Sequence, residues 1–262
     1  MAQTSLPARF PRAARALAFA FAAGLLVGAT AEAEAEGDPV SAARPPAPDR
    51  TGAGDRDMID VVPERCARFA VMTMTTDDAG RPRSADGWRQ LLSLAACVQD
   101  GSIAAVHEPA ELEPMLDELS RRLALPMMVY LDALEHAEAS IQLRAAFQIG
   151  MAYVGLSTRA RSAIAAPPDL ATNAAAASRY RELHGRLEPL LAPARRAAWV
   201  SFRAIDEAAA MDATLATNEV ERNMVCAARR LLGELRDAAP EPLRMLADRP
   251  ACAGAPVTAA AW

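Results

Sequence analysis

Residues 145–156 (AAFQIGMAYVGL), near the middle of the 262-residue chain, contain one strongly polar side chain, that of Gln148. A helix of this composition is apolar on every side, which is typical of a helix that other helices cover completely. The stretch is too short to cross a bilayer, since a membrane-spanning helix needs about 20 apolar residues. We therefore predict that it forms the central helix of a packed domain.

The flanking segments have apolar residues at helical spacing, and none of comparable quality alternates with a period of two. The first predicted helix begins after Ser84 or Asp86 and ends near Gly101, and the second begins at Pro109. Their apolar positions are Trp88, Leu91, Leu92, Ala95 and Val98, then Leu112, Met115, Leu116, Leu119 and Leu123.

Prolines set the next predicted boundaries, because proline disrupts a helix and disfavours helical backbone before it. A long helix is expected from just after Pro126 to about residue 166, where Pro167 and Pro168 end it. Another helix opens at Pro168 and Asp169, and Pro193 begins a further one. Apolar residues on these two helices are Tyr180, Leu183, Leu187 and Leu190, then Trp199, Phe202, Ile205 and Ala209.

The last predicted helix begins at Asn218, because Glu221 three residues later completes a pattern that resembles a capping box. Its apolar positions are Val220, Met224, Ala227, Leu231 and Leu235. Together the segments predict an all-α fold, a single bundle of about five to six helices around the central apolar helix. Residues 61–247 would form this domain, which is long enough to bury a substantial core.

Within the central stretch, Ile149, Gly150, Ala152 and Tyr153 resemble the Leu-Gly-x-Ala-Tyr pattern of the first helix in a tetratricopeptide repeat. The resemblance covers about a dozen residues and implies an alternative architecture, a short TPR-like α-solenoid of stacked helix pairs. However, the prolines at 167–168 fall where the second helix of the repeat should continue, and no 34-residue period appears elsewhere.

Residues 1–31 have the features of a secretory signal peptide. Three arginines precede a 13-residue apolar run, residues 16–28, and Ala29 and Ala31 match an A-x-A cleavage pattern. The run is short for a permanent membrane anchor, and lipoprotein anchoring would need a cysteine at the cleavage point, whereas the first is Cys66. We expect an exported protein, in the periplasm or outside the cell, with no membrane span after cleavage.

Two further segments lack the apolar residues that a core requires. Residues 32–60 mix proline, alanine, glycine and acidic residues, which predicts a flexible linker. Residues 248–262 contain two prolines and many small residues, which predicts a loose C-terminal tail.

The mature chain would be acidic. Removal of residues 1–31 takes away three arginines and no acidic residue, which changes the formal net charge from −5 to −8. An acidic protein repels phosphate backbones, and aromatic residues are only 5% of the chain, so few side chains are available to stack on bases. Nucleic acid is therefore not expected as a partner.

Four cysteines, Cys66, Cys97, Cys226 and Cys252, indicate disulfides in an exported protein. Chain proximity favours Cys66 with Cys97 and Cys226 with Cys252, which are 31 and 26 positions apart, among three possible pairings. The alternative is that Cys97 and Cys226, both in predicted helices, are free and buried.

The common catalytic and cofactor motifs are absent from the chain. It contains no G-x-S-x-G, no phosphate-binding G-x-x-x-x-G-K-[ST], no H-E-x-x-H and no C-x-x-C. No pair of Glu-x-x-His motifs is present for a di-iron bundle. We therefore assign no catalytic residue, no cofactor and no metal ligand from the sequence.

Three further groups of residues contain side chains of the kinds that bind ligands or take part in catalysis, although their patterns are weaker. Asp132, Glu135 and His136 would share one helix face, an arrangement that can hold a divalent cation, although a solvated polar face is the favoured interpretation.

The second group is Arg159 and Arg161, which lie among hydroxyl residues, an arrangement that can bind an anion. Arginines near a helix C-terminus also interact with its dipole, which is the favoured interpretation here. The neighbouring hydroxyls are Ser157, Thr158 and Ser162, and the dipole interpretation extends to Arg195, Arg196, Arg229 and Arg230.

The third group surrounds His184, which adjoins the apolar stripe of its helix and is interpreted as a histidine at the edge of the core. Ser157, Ser201 and Cys226 are possible nucleophiles, but no pattern pairs them with a base.

The favoured hypothesis is an exported, non-catalytic binding or interaction module whose partner, an unidentified protein or envelope component, lies at the envelope or outside the cell. The alternative is an exported hydrolase-like enzyme whose dispersed polar residues include His136 or His184. A histidine in a concave pocket, with an acid or hydroxyl at hydrogen-bond distance, would favour the enzyme.

Overall fold

The structure, a computed structural model, describes residues 66, 76–78, 80–99, 104–136, 138–216, 218–239 and 252. They contain five α-helices, α1 (Ala85–Val98), α2 (Leu112–Leu134), α3 (Ala139–Ala163), α4 (Ala174–Met211) and α5 (Glu219–Glu234). The described residues form no strand, only two isolated bridges, which confirms the all-α prediction. The predicted signal peptide, the linker and the tail apart from Cys252 lie outside the described residues.

Helix α3 contains the apolar stretch and is the centre of the bundle. It contacts each of the other four helices, and Ile149, Ala152 and Leu156 on it are almost fully buried. One strip of α3, which includes Gln148 and Met151, stays half-buried. Because a single helix touches all the others, the fold is the predicted bundle around a central helix and not a curved array of stacked pairs.

The contact between α3 and α4 depends on Gly150. A Cβ atom at this position would lie 2.5 Å from Cε1 and 2.7 Å from Cζ of Phe202. The Phe202 ring is fully buried and also packs against Phe147, with 5.9 Å between ring centroids. The missing side chain at Gly150 therefore lets the two helices approach closely.

Gly150→Ala is expected to lower the free energy of unfolding by about 1–2 kcal/mol, because overpacking at Phe202 exceeds the gain in helix propensity. The matched control is Gly185→Ala on α4, where an added Cβ has no neighbour within 4 Å. That change should raise the free energy of unfolding by about 0.5–1 kcal/mol. Urea unfolding measures both, and stabilisation by both substitutions would contradict the close packing.

The prediction that a helix begins after Pro126 is wrong. Helix α2 continues through Pro126 to Leu134, and the break falls at residues 135–138 instead. The Pro126 ring is fully buried, so its packing offsets the hydrogen bond that proline removes. The chain leaves the helix where the backbone N–H of Glu138 donates to Nδ1 of His136, at 3.0 Å.

The prediction that Pro193 begins a new helix is also wrong, since α4 is continuous through Pro189 and Pro193. One buried stripe runs past both prolines, and this tertiary packing holds the segments together as one helix. The stripe consists of Leu183, Leu187, Leu191, Ala194 and Ala198. Leu190, one of the apolar residues at helical spacing in this segment, is 41% exposed, because the buried stripe follows the helical period to Leu191.

Side-chain caps mark the beginning of α1 and of α5. Ser84 caps α1 by accepting the N–H of Gly87 at 3.1 Å, and Asn218 caps α5 by accepting the N–H of Glu221 at 2.8 Å. Both helices therefore begin where their caps predict. Val220, an apolar position of the predicted helix, is 39% exposed in the first turn of α5.

Candidate functional site

A cleft of about 350 Å³ opens between the chain segment before α2, the segment after α3 and the first turns of α4. Its walls combine polar and apolar surface in similar amounts, and its polar side chains lie on the side formed by α4 and the segment before α2. The lining residues are Val106, His107, Ala165, Pro167, Asn173, Ala175, Ala176, Arg179, Tyr180 and Leu183.

Backbone contacts position the two loops that form the cleft. The N–H of Val106 donates to the carbonyl of Ala163 at 2.8 Å, and Val106 forms a parallel bridge with Ile164. This bridge fixes the segment before α2 against the end of α3. Asn173 caps α4 by accepting the N–H groups of Ala175 and Ala176, each at 3.1 Å.

Arg179 is the cation at the edge of the cleft. Its Nη1 donates to Oε1 of Glu108 at 3.1 Å, and both side chains are exposed. Behind this pair, Glu111 accepts the backbone N–H groups of His107 and Glu108 at 2.7 and 3.1 Å. These bonds hold the pKa of the Glu111 carboxyl below its usual value. The segment that carries Arg179's partner is therefore itself held in place.

The rings of Tyr180 and His184 stack edge to face along α4, with 4.5 Å between their centroids. His184 is half-buried, and its Nε2 is enclosed without a hydrogen-bond partner. The next turn carries Glu188, which accepts two hydrogen bonds from Arg161 at 2.7 and 2.9 Å. The Arg161 guanidinium lowers the pKa of Glu188. His184 is thus an edge-of-core histidine, as the sequence predicts.

No histidine ring among the described residues hydrogen-bonds a carboxylate or a hydroxyl. His107 lines the cleft, His184 stacks on Tyr180, and His136 lies against Trp88 with 5.8 Å between ring centroids. The pairing that would favour the hydrolase alternative is therefore not seen in this part of the chain.

Asp132, Glu135 and His136 do not share a helix face, because α2 ends at Leu134 and the last two lie in the following turn. The Nδ1 atom of His136 accepts the backbone N–H of Glu138. In the part of the chain that the structure describes, no three His, Cys, Asp or Glu side chains gather as metal ligands would.

The arginines after the central stretch make contacts within the fold. Arg159 donates to the backbone carbonyl of Gln99, and Arg161 pairs with Glu188. The hydroxyls of Ser157 and Ser162 donate to backbone carbonyls of their own helix. The two arginines therefore tie α3 to neighbouring segments, and the two serine hydroxyls are engaged within α3.

The three candidate nucleophiles are also engaged. Ser157 donates to the carbonyl of Tyr153 and Ser201 to that of Ala197, each at 3.0 Å. Cys226 is bonded to Cys252. Neither serine hydroxyl is directed at a base, and Cys226 is not a free thiol.

Both disulfides join the pairs that chain proximity favours. Cys66 is bonded to Cys97 on α1, with 5.8 Å between Cα atoms, and Cys226 on α5 is bonded to Cys252, with 5.3 Å. The alternative of free, buried Cys97 and Cys226 is therefore not what the structure shows.

Sequence reasoning missed His107 and Arg179 as members of one cleft. The Arg179–Glu108 contact joins residues 71 positions apart, and the bridge between Val106 and Ile164 fixes the segment before α2 against the end of α3. The Asn173 cap is the one local pattern that marks the cleft, since asparagine is a preferred N-cap residue.

Within the described ranges, no helix is both long enough and apolar enough to span a membrane. No protein-family model, no curated protein and no solved structure matches this chain.

Proposed function

We propose that this is an exported, non-catalytic binding protein that holds a small ligand in the cleft at the start of α4. The observation that carries the proposal is the cleft itself. Its volume of about 350 Å³ is at the lower end of the range for small-molecule sites, and its wall combines apolar surface with the polar side chains of His107, Arg179 and Tyr180.

Two features support export to the periplasm or the extracellular space. Disulfides persist in oxidising compartments and are rare in the cytosol, and two disulfides join described parts of this chain. The arginines and apolar run of residues 1–31 also match a secretory signal.

The binding role is tested by filling the cleft. Ala176 lines the cleft and is half-buried, whereas Ala174, two residues earlier, is exposed and does not line it. We expect at least one compound in a chemically diverse small-molecule screen to raise the Tm of the wild type and of Ala174→Phe, because binding to the folded state stabilises it. The same compound should not raise the Tm of Ala176→Phe, in which the new ring occupies the cleft.

The measurement is thermal unfolding of the oxidised protein, with circular dichroism of each variant to establish that it is folded. The proposal is wrong if no compound stabilises the wild type. It is also wrong if the compounds that do so stabilise Ala176→Phe equally.

A further inference from the structure

On the basis of the proposed function, we infer that the ligand of the cleft is a small monocarboxylate with a compact apolar body. Its carboxylate would pair with Arg179, and its body would lie against Val106, Pro167 and Leu183. The inference depends on which polar groups of the cleft are already engaged and on the charges nearby.

Among the polar side chains that line the cleft, Arg179 can only donate a hydrogen bond, whereas those of His107 and Tyr180 can donate or accept one. The Asn173 side chain is used within the fold, since its Oδ1 accepts two backbone N–H groups and its Nδ2 donates to Asp169 at 2.7 Å. Arg179 can only donate, and one of its donors, on Nη1, is directed at Glu108. The Nε and Nη2 donors remain for a ligand, and the ligand group that pairs with Arg179 must therefore be an acceptor.

Glu108 contacts one edge of the Arg179 guanidinium at 3.1 Å, and both side chains are more than half exposed. A planar guanidinium presents its other donors in a fixed fork. A carboxylate matches two parallel donors of such a fork. An exposed arginine without this contact would have to lose more side-chain freedom on binding.

The charges around the cleft favour a single negative charge over a double one. Among the residues that the structure describes, Arg179 is the only arginine that lines the cleft, and Glu108 and Glu111 lie beside it. A phosphate dianion would be repelled by both carboxylates, whereas a monocarboxylate brings half the charge. The apolar residues Val106, Pro167 and Leu183 add a surface that inorganic phosphate cannot use.

The proposal is tested by titrating the oxidised, full-length protein with hexanoate, 3-phenylpropanoate, hexanamide and inorganic phosphate, with binding followed by NMR. Hexanamide has the same apolar body as hexanoate and no charge. We expect a carboxylate to bind at least tenfold more tightly than the amide or phosphate, because charge-assisted hydrogen bonds to arginine are about twice as strong as neutral ones.

The variants are Arg179→Gln and the matched control Arg181→Gln, an exposed arginine on the same helix that does not line the cleft. Arg179→Gln should weaken carboxylate binding at least tenfold, and Arg181→Gln should change it less than twofold. Equal binding of the amide, equal binding of phosphate or an unaffected Arg179→Gln would each overturn the inference.

The failure of this inference can be distinguished from the failure of the proposed function. If neutral or cationic compounds bind in a manner that Ala176→Phe abolishes while carboxylates do not, the ligand class is wrong and the binding role stands. If Ala176→Phe does not abolish the binding of any compound, of whatever class, the ligand class and the binding role are both wrong.

Discussion

Replacing Arg229 with methionine is expected to lower the free energy of unfolding by about 3–5 kcal/mol, the cost of removing one partner from a buried ion pair. Nε of Arg229 on α5 donates to Oδ1 of Asp206 on α4 at 2.8 Å. Asp206 is only 1% exposed, and Nη1 of Arg203 lies 3.8 Å from its other oxygen. Without Arg229, the Asp206 carboxylate stays buried and loses its closest cation.

A double variant separates the cost of the unpaired charge from the value of the pair. Asp206→Asn/Arg229→Met removes both charges, and Arg203 retains Glu207 as a partner at 2.9 Å. We expect this double variant to be more stable than Arg229→Met alone, because the buried carboxylate is gone.

The matched surface control is Arg230→Met, next along α5. Its Nε lies 3.5 Å from Oε1 of Glu234, and both side chains are about half exposed. This change should alter the free energy of unfolding by less than about 0.5 kcal/mol. Urea unfolding at neutral pH measures all three variants. If Arg230→Met lowers the free energy of unfolding as much as Arg229→Met does, the burial of Asp206 is not the cause of the destabilisation.

The Asp206–Arg229 pair shows what the sequence could not reveal. Asp206 stands beside Glu207 in a segment that looks like a solvated helix face, and Arg229 has an ordinary explanation at a helix end. The two residues are 23 positions apart. Only the packing of α4 against α5 brings them together, so no local pattern marks either one.

The sequence did predict the features of the fold that depend on residues close together in the chain, such as helix caps and the apolar stretch. Ser84 and Asn218 begin their helices because their side chains satisfy N–H groups that a helix leaves free. The apolar stretch in α3 is central because almost none of its surface is suited to water. Proline rules failed at Pro126 and Pro193, where burial of the surrounding stripe outweighs a lost backbone bond.

The cleft could be predicted neither from helix caps nor from the pattern of apolar residues. It exists because Val106 bridges to Ile164 and sets the segment before α2 beside α4. Neither residue is unusual in the sequence, and a single bridge has no periodic pattern. The disulfides could be predicted for a different reason, since loop closure favours cysteines that are close along the chain.

The disulfides give the second large effect. Replacing Cys226 and Cys252 with alanine is expected to lower the free energy of unfolding by about 3 kcal/mol, because the bond closes a loop of 26 positions that would be unrestricted in the unfolded chain. The Cys66–Cys97 bond closes a loop of 31 positions, so the corresponding double variant should lose about the same amount.

The matched experiment compares reduced wild type with a variant in which all four cysteines are alanine. Urea unfolding of the wild type should shift to lower denaturant on reduction, while the alanine variant should not respond to the reductant. If a thiol assay counts four free thiols and the unfolding midpoint is unchanged, the disulfides do not stabilise the fold. A combined loss of about 6 kcal/mol would equal the whole stability of many domains. The reduced chain would then be only marginally folded, which is the physical reason that the proposed export to an oxidising compartment matters for this fold.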